Sequence, residues 1–177
     1  LRPKISRADM TVLFIEELNL TELFKRFMPP PTSSGFQTPA QMMSQGNAPL
    51  PGDVRGSWAE GWIEEAMKLG VVETDPDGNF YPAESVTRAG YARAVARILT
   101  MVTRDQTLET RYFGENPSRF SDVSSSHFAY PAMALCSERG IMKADLVTGG
   151  FNPAGGVGGA DALLIIRTVQ TSLRVTF

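Results

Sequence analysis

From Trp58 to Leu69 the apolar residues fall at Trp58, Trp62, Ile63, Ala66, Met67 and Leu69, with Glu60, Glu64, Glu65 and Lys68 between them. That three-and-four spacing predicts an amphipathic helix. Ser57 is its expected N-cap and Gly70 its expected left-handed stop. Val71-Val72 then predicts a short extended piece. Asp75-Pro76-Asp77-Gly78 reads as a turn, because proline presets φ and glycine accepts positive φ. Phe80-Tyr81 is expected to return, extended, to Pro82. From Thr87 to about Val102, Tyr91, Val95, Ile98, Leu99 and Val102 fall on one side of a second predicted helix. The unit is therefore helix, short hairpin-like turn, helix.

The pattern recurs. Gly52-Asp53-Val54, Trp58-Ala59, Gly70-Val71, Phe80-Tyr81-Pro82 and Val86-Thr87-Arg88-Ala89 have counterparts downstream. These are Ser121-Asp122-Val123, Phe128-Ala129, Gly140-Ile141, Phe151-Asn152-Pro153 and Val157-Gly158-Gly159-Ala160. Asp53 to Asp122 is 69 positions, Gly70 to Gly140 is 70 and Phe80 to Phe151 is 71, so two single-residue insertions separate the copies. A partial third copy opens the chain. Ile5-Ser6-Arg7-Ala8-Asp9 matches Val86-Thr87-Arg88-Ala89-Gly90, and one helix is predicted after it, from about Arg7 to Phe27. Ser6 and Asp9 there have the spacing of a capping box.

These landmarks set the expected organisation. Residues 1–27 are a partial repeat, 28–51 a linker rich in Pro, Ser, Gln and Met, and 52–102 a full repeat. Residues 103–119 form a connecting loop, ordered because Tyr112-Phe113 need a place to pack, and 120–177 are a degenerate repeat. A short turn of helix is expected from Pro39 to Ser44. One helix–turn–helix unit cannot bury its apolar face alone, so all the units are expected in one compact domain.

Composition narrows the function. With 17 basic and 19 acidic residues, the chain has no basic stripe for nucleic acid and no polybasic run for an anionic membrane. No apolar stretch approaches the ~20 residues of a transmembrane helix. Cys136 is the single cysteine, set in the apolar run Met133-Ala134-Leu135-Cys136, and is expected to be a small buried residue. His127 is the single histidine, at a helix start, and is expected to cap or face solvent. One His and one Cys cannot build a multi-histidine metal site or a nucleophile–base pair with an orienting third group. Asp75-Pro76-Asp77-Gly78-Asn79 lacks the further ligands of a calcium loop and reads as turn chemistry. Gly155-Gly156-Val157-Gly158-Gly159 has no following Lys-Ser/Thr and reads as a degraded repeat loop, not a phosphate loop. No enzyme activity and no cofactor are expected.

The order Asp-Val, Trp-Ala, helix, Gly-Val, Asp-Gly-Asn-Phe-Tyr-Pro, Val-Thr-Arg-Ala, helix resembles the S-layer homology domain. The resemblance implies a mainly α fold. Tandem helix–short hairpin/turn–helix repeats would pack as a pseudo-threefold helical bundle with grooves between units. It implies noncovalent attachment of an exported protein to the bacterial cell envelope, cell surface or periplasm. The partner would be cell-wall polysaccharide, often pyruvylated, or modified peptidoglycan. Other copies of the chain or other surface proteins are further possible partners. The family's Thr-Arg-Ala-Glu motif would line the groove, and arginine suits such a ligand because its planar fork can take a carboxylate bidentately.

Carried over by position, the ligand-reading residues are Ser6 and Arg7, and Thr87 and Arg88. The third motif, Gly158-Gly159, has neither hydroxyl nor guanidinium. The motif's Glu is Asp9 in the first copy, Gly90 in the second and Asp161 in the third. Trp58 and Trp62 are expected in the core, with a groove-rim Trp58 able to stack on a sugar. Asp53 and Asp122 are expected to lead into the first helix of each repeat, with ligand contact as their second role. Two functions follow from different classes: an envelope anchor that binds an acidic glycan, and a structural subunit that uses the same bundle to bind protein. If Arg7 and Arg88 face an open groove the first gains; if they are buried in salt bridges between units the second gains.

Overall fold

The computed structural model describes residues 3–27 and 50–175. The helical turn expected at Pro39 to Ser44 lies outside the described residues. Among the described residues there are six α-helices and no β-strand longer than an isolated bridge. They are α1 (Arg7–Glu17), α2 (Leu20–Phe27), α3 (Glu60–Lys68), α4 (Arg88–Thr103), α5 (Tyr130–Glu138) and α6 (Gly159–Val175), with a 3₁₀ turn at Gln106–Glu109. The fold is mainly helical, as the periodicity predicts.

The chain forms two compact units that cut across the repeats, one of Arg7–Glu84 and one of Leu1–Ser6 with Ser85–Phe177. In the first, α1 packs on α2 and α3. Phe14, Leu20, Val54, Ile63, Ala66 and Phe80 are fully buried there. Each large apolar side chain removed from water there contributes about 1.5–3 kcal/mol. Two polar ties join its helices: Trp62 Nε1 donates to Glu16 Oε1 at 2.6 Å, and the Thr21 hydroxyl donates to Glu65.

The predicted helix over 7–27 is two helices. Asn19 breaks it at φ 47°, a left-handed conformation that asparagine tolerates better than most residues. The helix predicted from Trp58 begins at Glu60; Ser57 caps only the turn before it, its Oγ accepting from the Ala59 amide at 3.3 Å. Trp58 is correspondingly not core. Ala59, Ile63 and Ala66 fill the buried side, leaving Trp58 62% exposed and Trp62 half-buried.

In the second unit α4 and α5 pack together and against the 3₁₀ turn. Every residue from Tyr130 to Cys136 is buried, so α5 is enclosed on all sides until its last turn, where Glu138 reaches solvent. Cys136 is fully buried as expected, its Sγ 3.7 Å from the Ala92 carbonyl. Tyr112 of the connecting loop is buried and donates to Glu138 Oε1 at 2.8 Å, while Phe113 stays exposed.

The three motif starts meet in this unit. Ile5 N donates to Val157 O at 2.9 Å, Val86 N to Ile5 O at 3.0 Å, and Val157 N to Val86 O at 3.3 Å. The ring closes on itself through three buried β-branched residues. The glycine loop that leads to Val157 fits its neighbours: a Cβ at Gly156 would lie 2.8 Å from the Lys4 side chain.

Candidate functional site

Each complete repeat carries a tight turn between its helices, closed in residues 52–102 by Asp75 N to Asn79 O at 2.8 Å and in residues 120–177 by Asp145 N to Gly150 O at 2.8 Å. Gly78 and Gly149 supply the positive φ, at 84° and 70°. Upstream, Gly70 and Gly140 stop α3 and α5 with φ of 72° and 65°.

An aspartate clamps each turn's exit. Asp53 accepts from the amides of Phe80 at 3.1 Å and Tyr81 at 2.5 Å. Asp122 accepts from Phe151 and Asn152, both at 2.7 Å. These residues do not lead into the first helix, as expected from sequence; they hold the far end of their own repeat. The clamp explains a second departure. Tyr81 and Asn152 are not extended but left-handed, φ 56° and 55°, so that both successive amides point at one carboxylate. Burial works against the charge of Asp122. The Phe151 and Asn152 amides and the nearby Arg88 more than offset it, and its carboxyl titrates below the ordinary 3.8.

Onto each clamped turn an arginine from the preceding repeat is latched. Arg88 lies 4.8 Å from the Phe151 ring centroid, with Nε donating to Phe151 O at 2.8 Å and Nη2 to Lys143 O at 2.9 Å. Arg7 lies 4.8 Å from the Phe80 ring centroid, with Nη2 donating to Glu73 O at 3.0 Å and Nη1 meeting Asp75 Oδ1 at 3.4 Å. The latches are equivalent but not identical: Arg7 Nε is buried without an acceptor among the described residues.

The helix starts are closed the same way. Arg7 N donates to Glu84 O and Ala8 N to Pro82 O; Arg88 N donates to Gly155 O and Ala89 N to Pro153 O, at 2.7–3.0 Å. Thr87 is the N-cap of α4, its Oγ1 accepting from Gly90 N at 3.0 Å. The first helical amides, which have no intrahelical acceptor, are thus bound by the protein itself. Ser6 forms an isolated bridge with Ser85, and Asp9 sits in the first turn of α1. At the third motif α6 begins at Gly159 and no guanidinium is present.

The structure therefore gathers Arg7 and Asp53 on the Phe80 turn and sets Arg88 on the Phe151 turn, while Thr87 caps α4 and bridges to Gly156. Trp58 stands exposed, 6.3 Å from Trp62 between ring centroids. Beside the Arg7 latch, a shallow depression is lined by Asp53, Asp75, Tyr81, Pro82, Ala83 and Glu84. Phe80 and Phe151 were not singled out as arginine platforms. The signal was present: each recurs, with its Asp, in both complete copies.

The latch, the clamp and the left-handed pre-proline residue recur at the same repeat positions, and the S-layer homology family model matches there, over residues 52–92 and 119–163. The two complete repeats are S-layer homology domains. Curated proteins share them. An uncharacterized cell wall amidase of Bacillus anthracis is 32% identical over 123 residues, 69% of this chain and 21% of that protein. Endo-1,4-beta-xylanase A of Thermoanaerobacterium saccharolyticum is 31% identical over 93 residues, 52% of this chain and 7% of its own. The amylopullulanase of Thermoanaerobacterium thermosulfurigenes is 31% identical over 93 residues, covering 4% of that protein. The chain thus spans about a fifth or less of each of these relatives. No helix among the described residues is long and apolar enough to cross a membrane.

Proposed function

We propose that this chain is a non-catalytic anchoring module that holds an exported bacterial protein to its cell envelope. One observation carries the reading. The three relatives are named for three different activities, yet share the S-layer homology segment over 21%, 7% and 4% of their lengths. A segment common to an amidase, a xylanase and an amylopullulanase is not what distinguishes their chemistry. Attachment to cell-wall polysaccharide or peptidoglycan is a task all three could use.

The ligand we favour is an acidic polymer, such as a pyruvylated polysaccharide. Arg7, Asp9 and Asp53 in the Arg7–Glu84 unit are proposed to meet it there, and Ser6, Thr87 and Arg88 in the other unit are proposed to meet it separately. Because the arginine donors and helix amides already bind the protein, the ligand would meet the guanidinium edges and not an empty fork. Trp58, with most of its ring in solvent, would supply stacking area.

One observation favours a second reading, a structural subunit that binds other surface proteins or other copies of itself. Both motif arginines are held within the protein, which is the arrangement a structural role requires. Retention on isolated cell-wall sacculi, before and after secondary polymers are stripped, separates the two readings. The anchoring reading expects retention by wild type, loss on stripping, and weaker retention of Trp58→Ala. Folded wild-type protein that passes through intact sacculi would overturn it in favour of the protein-binding role.

A further inference from the structure

We propose a second ligand site, on the cleft between α4 and the start of α5, that takes an acidic sugar. A cleft of about 180 Å³ opens there, lined by Arg93, Arg97, Phe128, Glu109, Pro131 and Ala132. That is small beside a drug-sized pocket of roughly 300–1,000 Å³ and suits a single ring. Arg93 and Arg97 stand one helical turn apart on α4, where two like charges repel. Arg93 forms no ion pair among the described residues; its guanidinium lies 5.3 Å from the Phe128 ring centroid. Phe128 itself is 71% exposed.

The other repeat supplies an internal control. Arg7 and Arg88 are equivalent, 81 positions apart, so Arg93 corresponds to Val12 and Arg97 to Glu16. Phe128 corresponds to Trp58, also exposed. In the Arg7–Glu84 unit, Glu16 is held by the Trp62 indole, and no arginine occupies either position. The repeat architecture is therefore satisfied without the arginine pair. An exposed aromatic is common to both positions, whereas the arginines are present on α4 and not at the equivalent positions of α1.

The chemistry this selects is a carboxylate carried on a ring. The guanidinium of Arg93 can take the carboxylate through paired N–H donors. Phe128, on which His127 stacks at 4.6 Å between ring centroids, offers the exposed remainder of its ring as apolar area, and Glu109 can accept from a hydroxyl. The choice of a sugar among ring carboxylates rests on the wall-anchoring reading. The site does not use the Arg7 and Arg88 latches.

The test is titration of the whole chain with tetragalacturonate at low salt, read by amide chemical shifts. Wild type, Arg93→Gln and Phe128→Ser would be compared, with the fully methyl-esterified tetramer and inorganic phosphate as separate probes. Both substitutions are at exposed positions, and thermal melting checks that the fold is kept. We expect shifts on α4 and at Phe128–Ala132, and affinity about tenfold or more weaker in Arg93→Gln. The esterified tetramer should not bind. Three results would each overturn the site: no shifts in the cleft, equal affinity for the esterified form, or saturation by phosphate at the same concentration. Sacculus retention reports separately on anchoring. Wild type that binds tetragalacturonate but not sacculi keeps the cleft and removes the anchor; the reverse removes the cleft and keeps the anchor.

Discussion

The guanidinium of Arg88 rests on the ring of Phe151, 4.8 Å from its centroid, although the two residues lie 63 positions apart in different repeats. Arg7 stands in the same relation to Phe80. In both cases an arginine at the start of one repeat's second helix closes the turn of the next repeat. The motif that identifies the family on paper is thus also the coupling between successive repeats. No single repeat contains its own latch, which is why the compact units divide within repeats and not between them.

Arg88→Ala should destabilise the protein by about 2–3 kcal/mol. It removes a cation–π contact of about 0.5–1 kcal/mol and two hydrogen bonds from a charged donor to backbone carbonyls. Arg88→Lys should fall between wild type and Ala, since a lysine keeps the charge but cannot reach two carbonyls with a planar fork. Urea melts of the three proteins check the order. Equal stabilities for all three would mean that the latch is incidental.

Asp122→Asn should lower the melting temperature at neutral pH, because the amide keeps one acceptor for two backbone N–H groups. The expected loss is about 1 kcal/mol, modest because the carboxylate is open to solvent. The pH dependence has a definite sign. The folded carboxyl titrates below its ordinary 3.8, so its stabilisation is complete above that value and disappears as pH falls through the folded value. Asp77 and Asp145 are shifted in the same direction, Asp77 first by the Tyr81 hydroxyl and Asp145 first by the Thr148 amide. Wild-type Tm should therefore drop below about pH 4. The gap between wild type and Asp122→Asn should narrow over that range. A gap that stays constant with pH would show that the charge of Asp122 does not matter.

Local features were legible in the sequence. Gly70 and Gly140 stop helices because only their neighbours and φ matter, and Thr87 caps α4 through an amide three residues away. The buried run into Cys136 could be read from its apolar periodicity. What a residue touches across tens of positions could not. Asp53 reads locally like a helix-start residue, yet its partners are 27 and 28 positions downstream. The sequence singled out Arg7 and Arg88 as anion readers by family position, but nothing local shows that their donors face Phe80, Phe151 and the turn carbonyls. Trp58 was misplaced because helical spacing assigns a face only inside the helix, and the helix begins two residues later.

The break between α1 and α2 gives a clean backbone test. Asn19 is exposed and left-handed, so its side chain contributes little packing and its φ of 47° is the constraint. Asn19→Val should cost about 1 kcal/mol, because a β-branched side chain is an outlier at positive φ and lacks the local hydrogen bonding that lets asparagine adopt it. Asn19→Gly should be tolerated, since glycine takes positive φ without strain. Thermal melts of both variants decide it. If Val were tolerated as well as Gly, the two helices would be joined as one in solution.

Cys136 predicts how the protein meets thiol reagents. The side chain is fully buried near the C-terminal end of α5, and burial pushes its thiol up to about 12. The reactive thiolate is therefore nearly absent at neutral pH, and no reagent can approach it without opening the unit around α5. In the native protein a thiol-reactive chromophore should label Cys136 far more slowly than a free cysteine. In denaturant, labelling should be immediate and stoichiometric. The rate at intermediate denaturant then measures opening of this unit. Arg88→Ala should raise that rate if the latch holds the unit closed, and should leave it unchanged if the Phe151 turn moves without disturbing α5.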